Sequence, residues 1–362
     1  MKKIKIITVF GTRPEIIKLS PVISLLDECS DHILVHTGQH YSYNLDRLFF
    51  EEMHLRNPDH QLNVGSGTPA YQVGTIMMKV EEILLKERPD LVLVQGDTNS
   101  TLAGALAAVK SGIPLGHIES GYRSGNLQMA EEINRIITDR LSRYLFVGTQ
   151  EGMENLHREG VEGKMFLVGN TAIDALRKNE TLADEKVLVQ HSLTSDGYIL
   201  VTVHRAENTE EKNLSSIVNS LNKLAEMTTV VFPIHPRTRK MIETFQLSLS
   251  AKITVIESTG YLEFMSLMKN AAFIMTDSGG IQEESVELNV PCLILRNETE
   301  TMDLVNAGKT ILTTTDKDRI FSIASSLLES KEKREEIKNR PFSGKSGVAQ
   351  KIVEILLREL TS

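Results

Sequence analysis

Asp97 follows the apolar run LVLVQG, and Glu119 closes PLGHIE, so two carboxylates each directly succeed a strand-like stretch. Strand ends in open α/β sheets border the ligand crevice, which is where a catalytic acid or base is expected. Asp97 also fits a plainer role, because Asp-Thr ahead of a helix caps it well. Downstream, AEEINRIITDRLS starts a helix with Glu131 and Arg135 four residues apart. That spacing alone would explain them as an intrahelical ion pair. Their nearness in sequence to Glu119 opens a second role beside the same chemistry.

Cations and histidines take matching positions. The first strand runs into GTRPEIIK, where Gly11 permits a tight turn and Pro14 suits the first helical position. Arg13 and Lys18 then stand near a helix N-terminus, as anion contacts or as surface charges. Further on, GYILVTVH ends at His204 and TTVVFPIH ends at His235, each with an arginine close by. One strand-end histidine is usually structural. Two in succession with arginine neighbours suggest a site for an anionic ligand, with His204 an acid/base or a diphosphate contact.

The run AAFIMT leads into TDSGGIQEES. Ser278, Gly279 and Gly280 leave bare backbone where a helix begins, and the free N–H groups and dipole there attract phosphate. Glu284 comes four residues after Gly280, placed to take hydrogen bonds from a vicinal diol. Phosphate at the helix tip and a ribose diol beside it would make a nucleotide diphosphate footprint. Glu283 needs no ligand, since acids favour first helical turns.

These residues need a scaffold of parallel strands, and the chain supplies one twice. IKIITVF, HILVHT, LVLVQG, PLGHIE, RYLFVG and KMFLVG occupy the first half; GYILVTVH, TTVVFPIH, KITVIE, AAFIMT, PCLILR and GKTILTT occupy the second. Amphipathic helical patterns alternate with them, which predicts parallel sheets covered on both faces. The expected division is a Rossmann-like domain over 1–175 and another over 186–346, with a helix at about 347–362 packing back on the first. The polar stretch NETLADEKVLVQHSLTSDGY supplies the linker.

Composition bounds the partners. The 362 residues are 41% hydrophobic and 24% charged, with 40 Lys+Arg against 48 Asp+Glu and a net charge of −8. That balance argues against nucleic acid or an anionic membrane surface as a partner. Two cysteines, Cys29 and Cys292, make no disulfide framework, and no metal-ligand spacing occurs, so neither metal nor cofactor is expected. SGKSG at 343–347 lacks the upstream glycine of a phosphate-binding loop, and GSGTPA at 65–70 lacks the third glycine of a dinucleotide fingerprint. The basic N-terminus reads as a first strand and not a signal peptide, and no run is long enough to span a membrane, so a cytoplasmic location is expected.

Taken together, FGTRPEIIKLSP, GDTNSTLAGALAA, HIESGYRSG, EEINR, VHRAEN, IHPRTRK and TDSGGIQEE resemble the non-hydrolysing UDP-N-acetylglucosamine 2-epimerases over about residues 4–310. The resemblance implies a GT-B-like α/β fold, two Rossmann-type domains with parallel sheets facing a central cleft, in a homodimer. It also implies interconversion of UDP-GlcNAc and UDP-ManNAc for surface polysaccharide, by elimination of UDP to a 2-acetamidoglucal and its re-addition. On the matched motifs, Asp97, Glu119 and Glu131 become the acid/base carboxylates, and His204 contacts the diphosphate or assists its departure. Arg13 and Lys18 lie by the phosphates and sugar, and Arg135 orients the carboxylates. His235, Ser278, Gly279, Gly280 and Glu284 fall to the nucleotide side. Gln39 and His40 match the pair around which bacterial members bind a second UDP-GlcNAc.

The chain also departs from the pattern. Ala130 replaces a proline before Glu131, Ser120 replaces the alanine after Glu119, and Thr301-Met302-Asp303 replace Arg-Pro-Glu. PFSGKSG stands where a Gly-Asp-Gly-type turn is usual. A 2-epimerase of a 6-deoxy UDP-HexNAc, a GT-B glycosyltransferase and a UDP-sugar-binding regulator without turnover are the alternatives these changes keep open.

Overall fold

The computed structural model describes residues 3–39, 50–183, 185–257, 259–299, 301–341 and 347–361. His40, Tyr41–Tyr43 and positions 343–346 of the SGKSG stretch lie outside them. The chain forms two compact units, Met1–Lys178 with Lys345–Ser362, and Asn179–Gly344.

In the first unit seven strands are β1 (Lys5–Phe10), β2 (Asp31–His36), β3 (His60–Gln61), β4 (Leu91–Gln95), β5 (Leu115–Ser120), β6 (Tyr144–Val147) and β7 (Lys164–Leu167). They pair in the order β3-β2-β1-β4-β5-β6-β7, all parallel. The order reverses between β1 and β4, so the turns leaving those two strands diverge and open a crevice. Both faces of the central strands are covered, and this is why their sequences are continuous apolar runs. Val9 and Val94 pack with Ala103 and Ala107 of the helix Asn99–Lys110. The small residues of LAGALAA let that helix lie close: a Cβ on Gly104 would stand 3.2 Å from both Val9 and Val94.

The last helix, Val348–Thr361, buries Ile352, Val353, Ile355 and Leu356 and packs against the helix Arg13–Cys29. Each such aliphatic side chain is worth roughly 1.5–3 kcal/mol when fully buried. Its start is tied down by Asp174, whose carboxylate accepts the N–H groups of Gly347 at 2.9 Å and Ala349 at 2.7 Å.

The second unit has six strands: β8 (Tyr198–Thr202), β9 (Thr229–Pro233), β10 (Ile253–Ile256), β11 (Phe273–Thr276), β12 (Cys292–Ile294) and β13 (Thr310–Leu312). They run parallel in the order β10-β9-β8-β11-β12-β13, so the reversal falls between β8 and β11. Ile199, Val201, Phe273 and Met275 form the middle of its core against Leu214, Ile217 and Leu221 of the helix Glu211–Leu224. All twelve apolar runs named from the sequence are strands. The two-residue β3 is the addition, and it carries no apolar pattern to betray it. Among the described residues no helix is long and apolar enough to cross a membrane.

Candidate active site

The crevice of the first unit gathers Asp97, Glu119, Lys18 and Arg135. Thr98, not Asp97, caps the helix Asn99–Lys110, with its hydroxyl accepting the Thr101 N–H. Asp97 is thereby free of the capping role, and its Oδ2 instead accepts from Arg135 Nε at 2.9 Å and from Nη2. Asn134 Nδ2 holds the Asp97 carbonyl at 2.8 Å.

Glu119 is not at a plain strand end. The β5–β6 register jumps between Ile118 and Ser120, so Glu119 is the extra residue of a bulge, with φ +69°. A left-handed glutamate is uncommon, and bulges beside functional sites re-aim a side chain. Its Oε1 accepts from Lys18 Nζ at 2.6 Å, and Oε2 accepts from Gln95 Nε2. Gly121, two residues on, has φ +84°, and a Cβ there would meet the Gly152 carbonyl oxygen at 2.5 Å.

Arg135 does not pair with Glu131. It reaches Glu132 Oε2 at 3.2 Å, while Glu131 is exposed. Glu132 is buried and accepts the N–H groups of Ser124 and Gly125 at 2.8 and 3.0 Å. Burial would raise its pKa, but those N–H groups and Arg135 bring it below the ordinary carboxylate value. The spacing-based pair thus falls to the neighbouring glutamate, three residues from Arg135 and on the inward face of the helix Ala130–Leu141. Arg13 opens the helix Arg13–Cys29, half-buried, and Pro14 is its second residue.

Gly11 has no left-handed φ; its need is for space. A Cβ there would run into the hydroxyls of Thr37 and Ser100. Beside it Glu15, buried, accepts from the Gly11 N–H at 3.1 Å and from the hydroxyls of Thr98 and Thr101 at 3.1 and 3.3 Å. Desolvation pushes its pKa up to about 7. Gln39 is buried too, and its Oε1 is engaged by the N–H and hydroxyl of Ser100 at 3.0 and 2.8 Å.

In the second unit His204 and the Ser278 corner stand on either side of the strand reversal. Asp277, fully buried, joins them: it accepts the backbone N–H groups of His204 and Arg205, each at 3.0 Å through Oδ2, and its Oδ1 lies 3.1 Å from His204 Nδ1. Burial opposes ionisation of Asp277, yet these donors hold it below the usual carboxylate range. A carboxylate on Nδ1 fixes the ring and leaves Nε2 as its outward atom. Asp277 was inside the quoted TDSGG stretch, and its position one residue past β11 was the available signal.

The helix Gly279–Glu287 starts at Ser278, whose side chain makes no capping bond. Among the described residues the N–H groups of Gly279 and Gly280 have no acceptor, and a Cβ on Gly280 would meet nothing within 4 Å. Nothing in the described fold therefore requires Gly280 to be glycine. Ile281, in the first turn, also lines a cavity of about 290 Å³ with His204, His235, Pro233 and Phe264. His235 caps the helix Pro236–Thr244, its Nδ1 accepting the Arg237 N–H at 3.2 Å, with its ring 5.8 Å from that of His204. Desolvation, with His204 and Arg237 nearby, lowers its pKa, in keeping with a ring nitrogen that accepts. Glu284 is half-buried on the same helix as Gly280.

The family model for UDP-N-acetylglucosamine 2-epimerase matches residues 26–357. A UDP-N-acetylglucosamine 2-epimerase of Methanocaldococcus jannaschii is 46% identical over 97% of this chain and 98% of its own. The UDP-2,3-diacetamido-2,3-dideoxy-D-glucuronate 2-epimerase of Pseudomonas aeruginosa is 42% identical over 90% of this chain and 92% of its own. Among solved structures, the M. jannaschii UDP-GlcNAc 2-epimerase in complex with UDP-GlcNAc and UDP superposes with a TM-score of 0.81 at 44% identity, covering 99% of this chain and 100% of that one. Such neighbours are GT-B-like, and each of the two units here is likewise built on a parallel sheet, of seven and of six strands. With the match running through both units and both sets of strand-end residues, the chain belongs to the UDP-N-acetylglucosamine 2-epimerase family.

Proposed function

We propose that this enzyme interconverts UDP-GlcNAc and UDP-ManNAc by removing UDP from the sugar and adding it back. The hydrogen on C2 is not adjacent to a carbonyl, so direct exchange of its proton is very slow. Elimination avoids that difficulty. A carboxylate takes the C2 proton, the C1–O bond breaks with its electron pair leaving on UDP, and a C1=C2 glycal remains. Re-addition of the UDP oxygen to C1, with a proton delivered to the other face of C2, gives the epimer.

The observation that carries this reading is the pair Asp97 and Glu119 at the ends of adjacent parallel strands, each held by its own cation, Arg135 and Lys18. Two carboxylates in distinct environments suit one base and one acid. The exposed Glu131 is the third carboxylate of the matched motif. For the departing diphosphate, the helix N-terminus at Gly279 and Gly280 offers two N–H groups that have no acceptor among the described residues, with His204 beside it. Glu284 takes the ribose diol, and the adjoining cavity takes the nucleoside. The product feeds surface polysaccharide, made from nucleotide sugars in the cytoplasm.

Incubating the enzyme with UDP-GlcNAc in D2O tests the reading. Deuterium at C2 of both UDP-GlcNAc and UDP-ManNAc is expected, and a C2 position that stays fully protonated in both rejects it. A second substrate has a specific reason to be tried, since the P. aeruginosa relative is named for a diacetamido glucuronate. Exchange on that nucleotide, or on a 6-deoxy UDP-HexNAc, with none on UDP-GlcNAc would reassign the sugar and leave the chemistry intact.

A homodimer is part of the same reading. Tyr71, Met78 and Leu85 recur every seventh residue along the helix Pro69–Glu87 and are 58%, 59% and 64% exposed. A second copy of the chain would cover this stripe. Sedimentation should give a dimer that Met78→Asp converts to monomer, and an unchanged monomeric wild type would remove the assembly.

A further inference from the structure

His117 and Asp139 take no part in the chemistry outlined above, yet both side chains are completely buried beneath it. His117 lies on β5, two residues before Glu119. Its Nε2 is 2.8 Å from the carbonyl oxygen of Gly96, and its Nδ1 is 2.7 Å from Asp139 Oδ1. A carbonyl only accepts, so Nε2 is the donor there. The other carboxylate oxygen, Asp139 Oδ2, accepts the Gly121 N–H at 3.1 Å and lies 2.8 Å from Arg123 Nη1.

These bonds close on the two turns that present the reactive carboxylates. Gly96, with φ +74°, immediately precedes Asp97; Gly121, with φ +84°, stands two residues after Glu119, itself at φ +69°. The two glycines take that region freely, but a left-handed glutamate between them persists only where its surroundings over-determine it. The bulge leaves Glu119 outside the ladder with β6, so that pairing does not fix its φ. The His117 ring grips the strand on one side of Glu119, and Asp139 grips the backbone on the other. Burial works against charge on Asp139, but His117 and Arg123 keep it below the usual carboxylate range, ready to accept.

We propose that His117 and Asp139 are a positioning unit that sets the directions of both Asp97 and Glu119, through the Gly96 carbonyl and the Gly121 N–H. It rests on the epimerase reading of those two carboxylates. Neither member touches substrate. One buried hydrogen-bonded pair thus coordinates two strand-end turns, and displacing it would misalign acid and base together.

The test compares His117→Phe, which fills the space without donors, with His117→Gln, whose amide can still reach the Gly96 carbonyl. Crystal structures are read first. With phenylalanine, Glu119 should leave the left-handed region and lose its bond from Lys18; retention of both overturns the proposal whatever the activity. Kinetics follow, on protein whose melting lies above the assay temperature. A misplacement of this kind costs about a hundredfold in kcat with KM nearly unchanged, and glutamine should restore at least roughly tenfold. Unchanged kcat in the phenylalanine variant also overturns it. Should that variant not fold, Asp139→Asn, of the same shape, is read by the same two measurements. A wild type without C2 exchange would reject the epimerase reading alone, since the position of Glu119 still decides the positioning role.

Discussion

Lys18 and Glu119 are 101 residues apart in the chain, and the ammonium of one rests 2.6 Å from a carboxylate oxygen of the other. They meet because β1 and β5 flank β4, so the start of the helix after one strand and the bulge in the other share the crevice of a single sheet. An ionic hydrogen bond of this kind is worth about 1.5–3 kcal/mol. If it orients Glu119 during proton transfer, Lys18→Met should lower kcat by roughly 10- to 100-fold. UDP affinity, proposed to lie with the second unit, should stay within a few-fold. Glu119→Gln should abolish C2 exchange with UDP affinity equally intact, as should Asp97→Asn. Exchange surviving in both carboxamide variants would remove the pair from the mechanism.

The backbone at Glu119 gives a stability prediction that is independent of activity. Alanine and glycine both remove the carboxylate, but only glycine adopts φ +69° without cost. In an ordinary strand alanine would be the more stable of the two. Here Glu119→Gly should exceed Glu119→Ala by about 1 kcal/mol in denaturant unfolding. The reverse order would mean that the residue is not left-handed in solution.

Gly280 separates a folding requirement from a binding one. With open space beside it and an ordinary φ, Gly280→Ala should leave stability unchanged or raise it by about 0.5 kcal/mol. The added methyl would, however, stand in the way of a phosphate approaching the helix N-terminus. UDP binding by calorimetry should weaken by at least roughly tenfold. An alanine variant that binds UDP normally would move the diphosphate elsewhere.

Glu15 should make stability fall as pH rises. Its ordinary value is near 4.5, and desolvation in the fold lifts it to about 7. A raised carboxyl pKa means the folded chain binds a proton that the unfolded chain has released, so its contribution is fully present below 4.5 and lost as pH climbs through 7. The span corresponds to roughly 3 kcal/mol. Glu15→Gln should lack this slope between pH 4.5 and 7, and identical pH profiles for the two proteins would show Glu15 to be charged in the fold.

Much of the scaffold was legible because parallel strands buried on both faces leave continuous apolar runs, and functional side chains cluster just past their ends. Asp97, Glu119, His204 and Ser278 were singled out by that rule, and the structure does place each at or just past the end of a strand. What stayed hidden depends on tertiary neighbours. Nothing in HIESGY marks a glutamate as left-handed, since the bulge arises from register against β6. Choosing Glu132 over Glu131 for Arg135 required the phase of the helix Ala130–Leu141, which its packing on the helix Asn99–Lys110 decides. Gly11 looked like a turn residue and is instead a space left for two hydroxyls on other elements. The reach of Asp277 to His204 follows only from β8 lying beside β11, 73 residues away.

The terminal segment that Asp174 tethers has a bearing on how the protein is made. A ribosome would deliver the whole second unit before the residues that cover the outer side of Arg13–Cys29 emerge. The later-encoded body can therefore finish first, while the earlier one waits for Val348–Thr361 with an oily flank uncovered. A stop codon placed at Val348 should thus disable the half that carries Asp97 and Glu119, although both lie more than two hundred residues upstream of it.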